Sequence, residues 1–120
     1  MKLRHLAISL SKLQPHPCED VDLEQYSTDG NIASQFISSI VSFGDLSPDS
    51  IIGDLGAGNG ILGIGALKIG AKKCIFLEAD KKACEILHEN LVLNNFKTHR
   101  CFNKPANFNI ETTHLAVAHW

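Results

Sequence analysis

Ile51-Ile52-Gly53-Asp54-Leu55-Gly56-Ala57-Gly58-Asn59-Gly60-Ile61-Leu62-Gly63 reads as a short apolar strand, a glycine turn and the start of a helix. Glycines stand at Gly56, Gly58 and Gly60, and Asp54 lies just ahead of the first. A residue without Cβ lets a ligand lie against the backbone and lets φ turn positive where the chain reverses. The helix that follows offers N–H groups without intrahelical partners and the positive end of a dipole. Such a turn suits the polar part of a nucleotide-like ligand. The dinucleotide fingerprint G-x-G-x-x-G would need its third glycine at position 61, where this chain has Ile61.

Ile75-Phe76-Leu77-Glu78 is a second apolar run and ends in a carboxylate. In an open α/β sheet, an acidic residue roughly 20 residues beyond the turn, at the tip of the second strand, accepts hydrogen bonds from ribose hydroxyls. Glycine turn and distal carboxylate together point to an adenosine-containing ligand. The turn alone would not, because Gly-rich strand–helix turns also arise for packing.

Downstream of the turn, residues 61–69 continue as a helix of small and apolar residues, and Gly70 is a natural stop. Lys73 to Leu77 forms the second strand. Asp80 can cap a helix from Lys81 to about Asn94, with Ala83, Cys84, Ile86, Leu87, Leu91 and Val92 on its apolar side. Asn94-Asn95 is a turn, and Thr98 to Phe102 reads as a third strand. This β-α-β-α-β order predicts an α/β fold with a parallel sheet and crossover helices, its ligand outside the carboxyl ends of the strands. Upstream, Leu3, Leu6, Leu10 and Leu13 recur at helical spacing, and Pro15 and Pro17 end that helix. A second helix follows, capped by Thr28 or Asp29, with Ile32, Ala33, Phe36, Ile37, Ile40 and Val41 as its stripe.

The 120 residues allow one domain at most. With 44% apolar residues, 20% charged and a net charge of −2, no overall basic footprint for nucleic acid exists. Lys68, Lys72, Lys73, Lys81 and Lys82 read as a solvated face. Cys18, Cys74, Cys84 and Cys101 form no C-x-x-C pair, so a reduced, intracellular protein is expected. No apolar run approaches membrane-spanning length and no signal-peptide core is present, so a soluble, cytoplasmic protein without membrane partners is expected. The spacing of His114 and His119 is not that of a helical metal site, and no metal is expected.

Three segments in order carry a resemblance: Leu23-Glu24-Gln25-Tyr26-Ser27-Thr28, Asp54 to Leu62, and Leu77-Glu78-Ala79-Asp80. Residues 2 to about 103 resemble the N-terminal half of a class I S-adenosylmethionine-dependent methyltransferase, and within that superfamily the methyltransferase-like protein 5 family of archaea and eukaryotes. The first segment discriminates, since many methyltransferases share the glycine turn. This chain departs from the family at Ser27, where the family has Pro, and at Glu78, where it usually has Asp.

The resemblance implies a Rossmann-like fold with S-adenosyl-L-methionine as cofactor. It implies that Gln25 and Thr28 close over the cofactor and that Gly56, Asn59 and Ile61 line its methionine and sugar side. Gly58 and Gly60 would complete the turn, Glu78 would hold the ribose hydroxyls, and Asp54 would organise the turn near the amino-acid end. Asn103 would stand beside the adenine. The family's reaction is methyl transfer to N6 of an adenine in ribosomal RNA, and its eukaryotic members work with a small zinc-containing activator protein.

Adenine's exocyclic amine is a poor nucleophile, and the enzymes that methylate it extrude the base and stack it on an aromatic ring. The family supplies those groups in an Asn-Pro-Pro-Phe segment, which this chain does not contain. Asn107-Phe108 bears a superficial likeness but comes too early. The expected organisation is an N-terminal helix and loop over 1–22, a cofactor-binding half-domain over 23–103, and a divergent tail over 104–120. The sheet is expected to stop after about three strands, leaving an edge and an apolar helix face that favour self-association. Two alternatives stay open: a non-catalytic remnant that binds S-adenosylmethionine or a partner, and a nicotinamide oxidoreductase fragment, which Ile61 and the Gln25–Thr28 segment disfavour.

Overall fold

The computed structural model describes residues 2–16, 28–100 and 114–120. Along them run α1 (Leu3–Ser11), α2 (Gly30–Ser42), β1 (Ile51–Leu55), α3 (Ile61–Ile69), β2 (Lys73–Glu78), α4 (Lys81–Leu93), β3 (Lys97–Arg100) and β4 (His114–His119).

β1 and β2 pair in parallel, Gly53 opposite Ile75, and a parallel pair needs a crossover, here α3. This is the α/β architecture expected from the strand–turn–helix pattern and the Rossmann-like fold that the resemblance implies. The sheet departs from an all-parallel order in one respect. Its order is β1-β2-β4-β3, with β4 antiparallel to both neighbours. The tail beyond residue 104, expected only to diverge, thus supplies an interior strand. Ala116 and Ala118 are buried, small enough to lie beneath the helices, and the strand is held by pairing with β2 and β3. Trp120 then anchors the end, its indole Nε1 donating to the Leu67 carbonyl at 2.8 Å and its ring tilted at 56° against Phe96, centroids 4.6 Å apart.

One core binds the helices to the sheet, built from Leu6 and Leu10 of α1, Ile37 of α2, Ile64 and Leu67 of α3, Phe76 of β2, and Leu87 and Leu91 of α4. Each such side chain contributes about 1.5–3 kcal/mol on burial. α3 is the central helix and is buried on most sides. Gly63 lets it approach β2: a Cβ there would collide with the Phe76 ring and stand 2.7 Å from the Cys74 sulfur. Close helix–strand contact is the task of the third glycine in a dinucleotide fingerprint, and here it falls to a glycine beyond the turn.

Asp29, rather than Thr28, caps α2, its carboxylate accepting from the Ile32 N–H at 2.8 Å. Only part of the α2 stripe is covered. Ala33 and Ile37 are buried, whereas Ile32 and Phe36 are more than half exposed, as are Ile51 and Leu55 of the edge strand β1. No helix among the described residues is long and apolar enough to cross a membrane.

Candidate functional site

The site grows from the carboxyl ends of β1 and β2. The chain leaves β1 at Leu55 and reverses through Gly56, Gly58 and Gly60, whose φ angles are 71°, 59° and 88°. All three lie in the left-handed region, where a Cβ is strained. The turn docks on β2 by two N–H groups, those of Gly56 and Ala57, which both donate to the Leu77 carbonyl, at 2.8 and 2.9 Å.

Glu78 holds the turn from β2. One carboxylate oxygen accepts the Gly58 N–H at 2.7 Å and the other accepts the Asp80 N–H at 2.9 Å. A carboxylate has about four lone-pair sites, so two remain for ligand hydroxyls. Asp54 accepts the Gly63 N–H of the first turn of α3 at 3.1 Å. Burial pushes the Asp54 carboxyl above its ordinary range, the Gly63 N–H draws it back, and the nearby Glu78 charge raises it again. Two carboxylates, one of them desolvated, thus face the same turn and favour a cationic group beside them.

Asn59 is buried within the turn. Its amide donates to the Gln14 carbonyl at 2.9 Å, and its Oδ1 accepts the Ile61 N–H at 3.3 Å. Above it opens a cleft of about 230 Å³ lined by Leu13, Pro15, Thr28, Asn59 and Ile61, among others. The ring of His16 lies on the turn, so that a Cβ on Gly58 would stand 2.8 Å from its Cδ2.

The structure places Asp54, Gly56, Gly58, Gly60 and Glu78 around one turn, and Thr28, Asn59 and Ile61 on one cleft beside it. Gln25 and Asn103 lie outside the described residues. Sequence reasoning missed Asn90 of α4, which is fully buried and hydrogen-bonded to both Gln14 and Asn59. The signal was present: position 90 falls on the buried helix face with Ala83, Leu87 and Leu91, and a polar residue there needs partners.

A parallel strand pair, a glycine turn into a helix, and a carboxylate at the end of the second strand are the parts of a Rossmann-like domain that takes a nucleotide-type ligand outside the strand ends. The chain belongs to the family described as ribosomal protein L11 methyltransferase (PrmA), whose model matches residues 33–118. It is similar to the uncharacterized protein MJ0284 of Methanocaldococcus jannaschii, 38% identical over 90 residues, which cover 75% of this chain and 40% of that protein. It is also similar to the rRNA N(6)-adenosine-methyltransferase METTL5 of Danio rerio, 32% identical over 91 residues, 76% of this chain and 44% of that one. Among solved structures it resembles the Pyrococcus horikoshii protein PH1948, proposed to be an RNA methyltransferase, with TM-score 0.69 and 45% identity over 78% of this chain and 46% of that one. The chain therefore spans less than half the length of these relatives.

Proposed function

We propose that the chain is the cofactor-binding half of an S-adenosylmethionine-dependent RNA methyltransferase that acts on N6 of an adenine in ribosomal RNA. The carrying observation is the arrangement of Glu78 and Asp54 about the glycine turn. When bound, S-adenosylmethionine supplies a methyl group activated by a sulfonium. Glu78 accepts the ribose hydroxyls with its remaining lone pairs. Asp54 offers negative charge to the cationic amino-acid end, which offsets the desolvation of its own carboxylate. Gly56, Gly58 and Gly60 let the ligand lie against the backbone, and Asn59 and Ile61 line its side.

By resemblance, Gln25 and Thr28 close over the cofactor and Asn103 meets the adenine. The RNA specificity rests on the likeness to the zebrafish enzyme and on the Leu23–Thr28 segment. The groups that would hold the target adenine lie in an Asn-Pro-Pro-Phe segment that these residues do not include, so methyl transfer requires a further polypeptide segment. The small activator protein of the family is the proposed partner, and the cytoplasm the proposed location.

The test is transfer of tritiated methyl from S-adenosylmethionine to ribosomal RNA. Transfer is expected once the missing half of the domain is supplied as a second polypeptide, and not from this chain alone. Label that appears on protein but never on RNA in the complemented enzyme would overturn the substrate assignment.

A further inference from the structure

Asn90 is the polar member of the buried face of α4, 0% exposed, and every polar atom of its side chain is used. Its Oδ1 accepts the Gln14 N–H at 2.8 Å. Its Nδ2 donates to the Gln14 carbonyl at 3.1 Å and to the Asn59 carbonyl at 2.9 Å. One side-chain amide thus satisfies both backbone groups of Gln14, as a neighbouring strand would, and ties them to the glycine turn. The Asn59 side chain makes a second bond to the same Gln14 carbonyl, at 2.9 Å.

These bonds join distant parts of the chain, and two residues beside Gln14, with Asn59, line the cleft. Leu13 and Pro15, on either side of Gln14, form one of its walls, while Asn59 and Ile61 belong to its floor. His16 follows and rests on Gly58. Asn90 itself does not line the cleft. Gln14, by contrast, is an exposed residue just beyond the end of α1, and its peptide is bonded by the side chains of Asn90 and Asn59. The Asn90 amide supplies two of the three hydrogen bonds described at the Gln14 peptide, and the Asn59 side chain supplies the third.

We infer that Asn90 is a positioning residue for the cofactor cleft: from outside its lining, it fixes Leu13 and Pro15 on one side of the cleft against Asn59 and Ile61 on the other. The inference rests on reading this cleft as the cofactor site. Preorganisation of this kind changes affinity by the fraction of molecules in which the wall is in place, without any contact to the ligand.

The experiment uses the full chain in three variants. Asn90→Ala removes the amide. Gln14→Pro deletes the N–H that Asn90 binds while leaving α4 untouched, which covers the case in which Asn90→Ala does not fold. Leu91→Ala empties core volume on the neighbouring position of α4 and controls for plain destabilisation. Amide hydrogen exchange is read first, without ligand, then calorimetric titration with S-adenosylmethionine.

In Asn90→Ala the Gln14 amide is expected to lose protection while amides in the middle of α4 keep theirs. Both Asn90→Ala and Gln14→Pro are expected to bind S-adenosylmethionine on the order of tenfold more weakly, the equivalent of about one buried hydrogen bond. Leu91→Ala, corrected for its folded fraction, is expected to bind like the wild type. Unchanged affinity in a folded Asn90→Ala or Gln14→Pro overturns the inference alone, as does an equal loss in Leu91→Ala. Wild-type protein that is folded and does not bind S-adenosylmethionine overturns the reading of the cleft, and this inference with it.

Discussion

Gly56 and Gly60 form a controlled pair within one turn. Both have left-handed φ, 71° and 88°, so alanine at either position incurs a strain of about 1–2 kcal/mol. Alanine also restricts the unfolded chain, which returns about 0.4–1 kcal/mol. A Cβ on Gly56 meets nothing within 4 Å, so Gly56→Ala should cost roughly 1 kcal/mol net. A Cβ on Gly60 collides with Leu87 Cδ1 and stands 3.2 Å from Ile64 Cδ1. Both of those side chains are fully buried core residues, and such overpacking adds about 1–3 kcal/mol. Gly60→Ala should therefore cost about 2–4 kcal/mol, some 2 kcal/mol more than its neighbour. At about 4 °C per kcal/mol for a chain of this size, the two variants should melt about 8 °C apart. Urea and thermal denaturation followed by circular dichroism read this directly. Equal losses of stability in the two variants would refute the claim that Leu87 and Ile64 leave no room for a Cβ at Gly60.

Asp54→Asn should stabilise the protein at neutral pH. Because burial raises the folded carboxyl above the unfolded value of 3.8, the unfolded chain ionises first, and stability falls as pH rises from there through the folded pKa. The asparagine keeps an acceptor for Gly63 and removes that penalty, so its advantage should be present at pH 7.5 and gone at pH 3; an equal difference at both values, by urea denaturation, contradicts the burial argument. Trp120→Ala should cost about 1–3 kcal/mol by removing a hydrogen bond to Leu67 and an aromatic contact with Phe96, and an unperturbed melting curve would show that Trp120 does not anchor the end of β4. Self-association through the β1 edge, where Ile51 and Leu55 are exposed, should be measurable by sedimentation velocity and abolished by Ile51→Lys with Leu55→Lys. Concentration-independent sedimentation of the wild type would sink that proposal.

The β1–turn–α3–β2–α4 course was legible because each step is written locally. Apolar runs end in glycine or a capping carboxylate, and Asp80 caps α4 as its position implies, accepting from the Lys82 N–H at 3.0 Å. β4 was not legible, because His-Leu-Ala-Val-Ala-His is short and becomes a strand only through pairing with β2 and β3, far away in sequence. The same holds for the α2 stripe, whose pattern shows which residues are apolar but not which will find a partner. Ile32 and Phe36 carry the pattern and stay exposed. At the site, Glu78 and the glycines were visible as motif. Asn90 is passed over when the α4 stripe is read from its apolar members alone: its place on the face of Ala83, Leu87 and Leu91 was legible, but its partners Gln14 and Asn59 were not.

The most direct measurement is calorimetric titration of the 120-residue chain with S-adenosylmethionine, alongside Glu78→Ala and with NAD as the competing nucleotide. Saturable binding of S-adenosylmethionine, weakened about 10- to 100-fold in Glu78→Ala by loss of charge-assisted bonds to the ribose, with none for NAD, is the expected result. A folded chain that binds no S-adenosylmethionine, or binds it equally without the Glu78 carboxylate, would contradict a cofactor site built on the glycine turn and the end of β2.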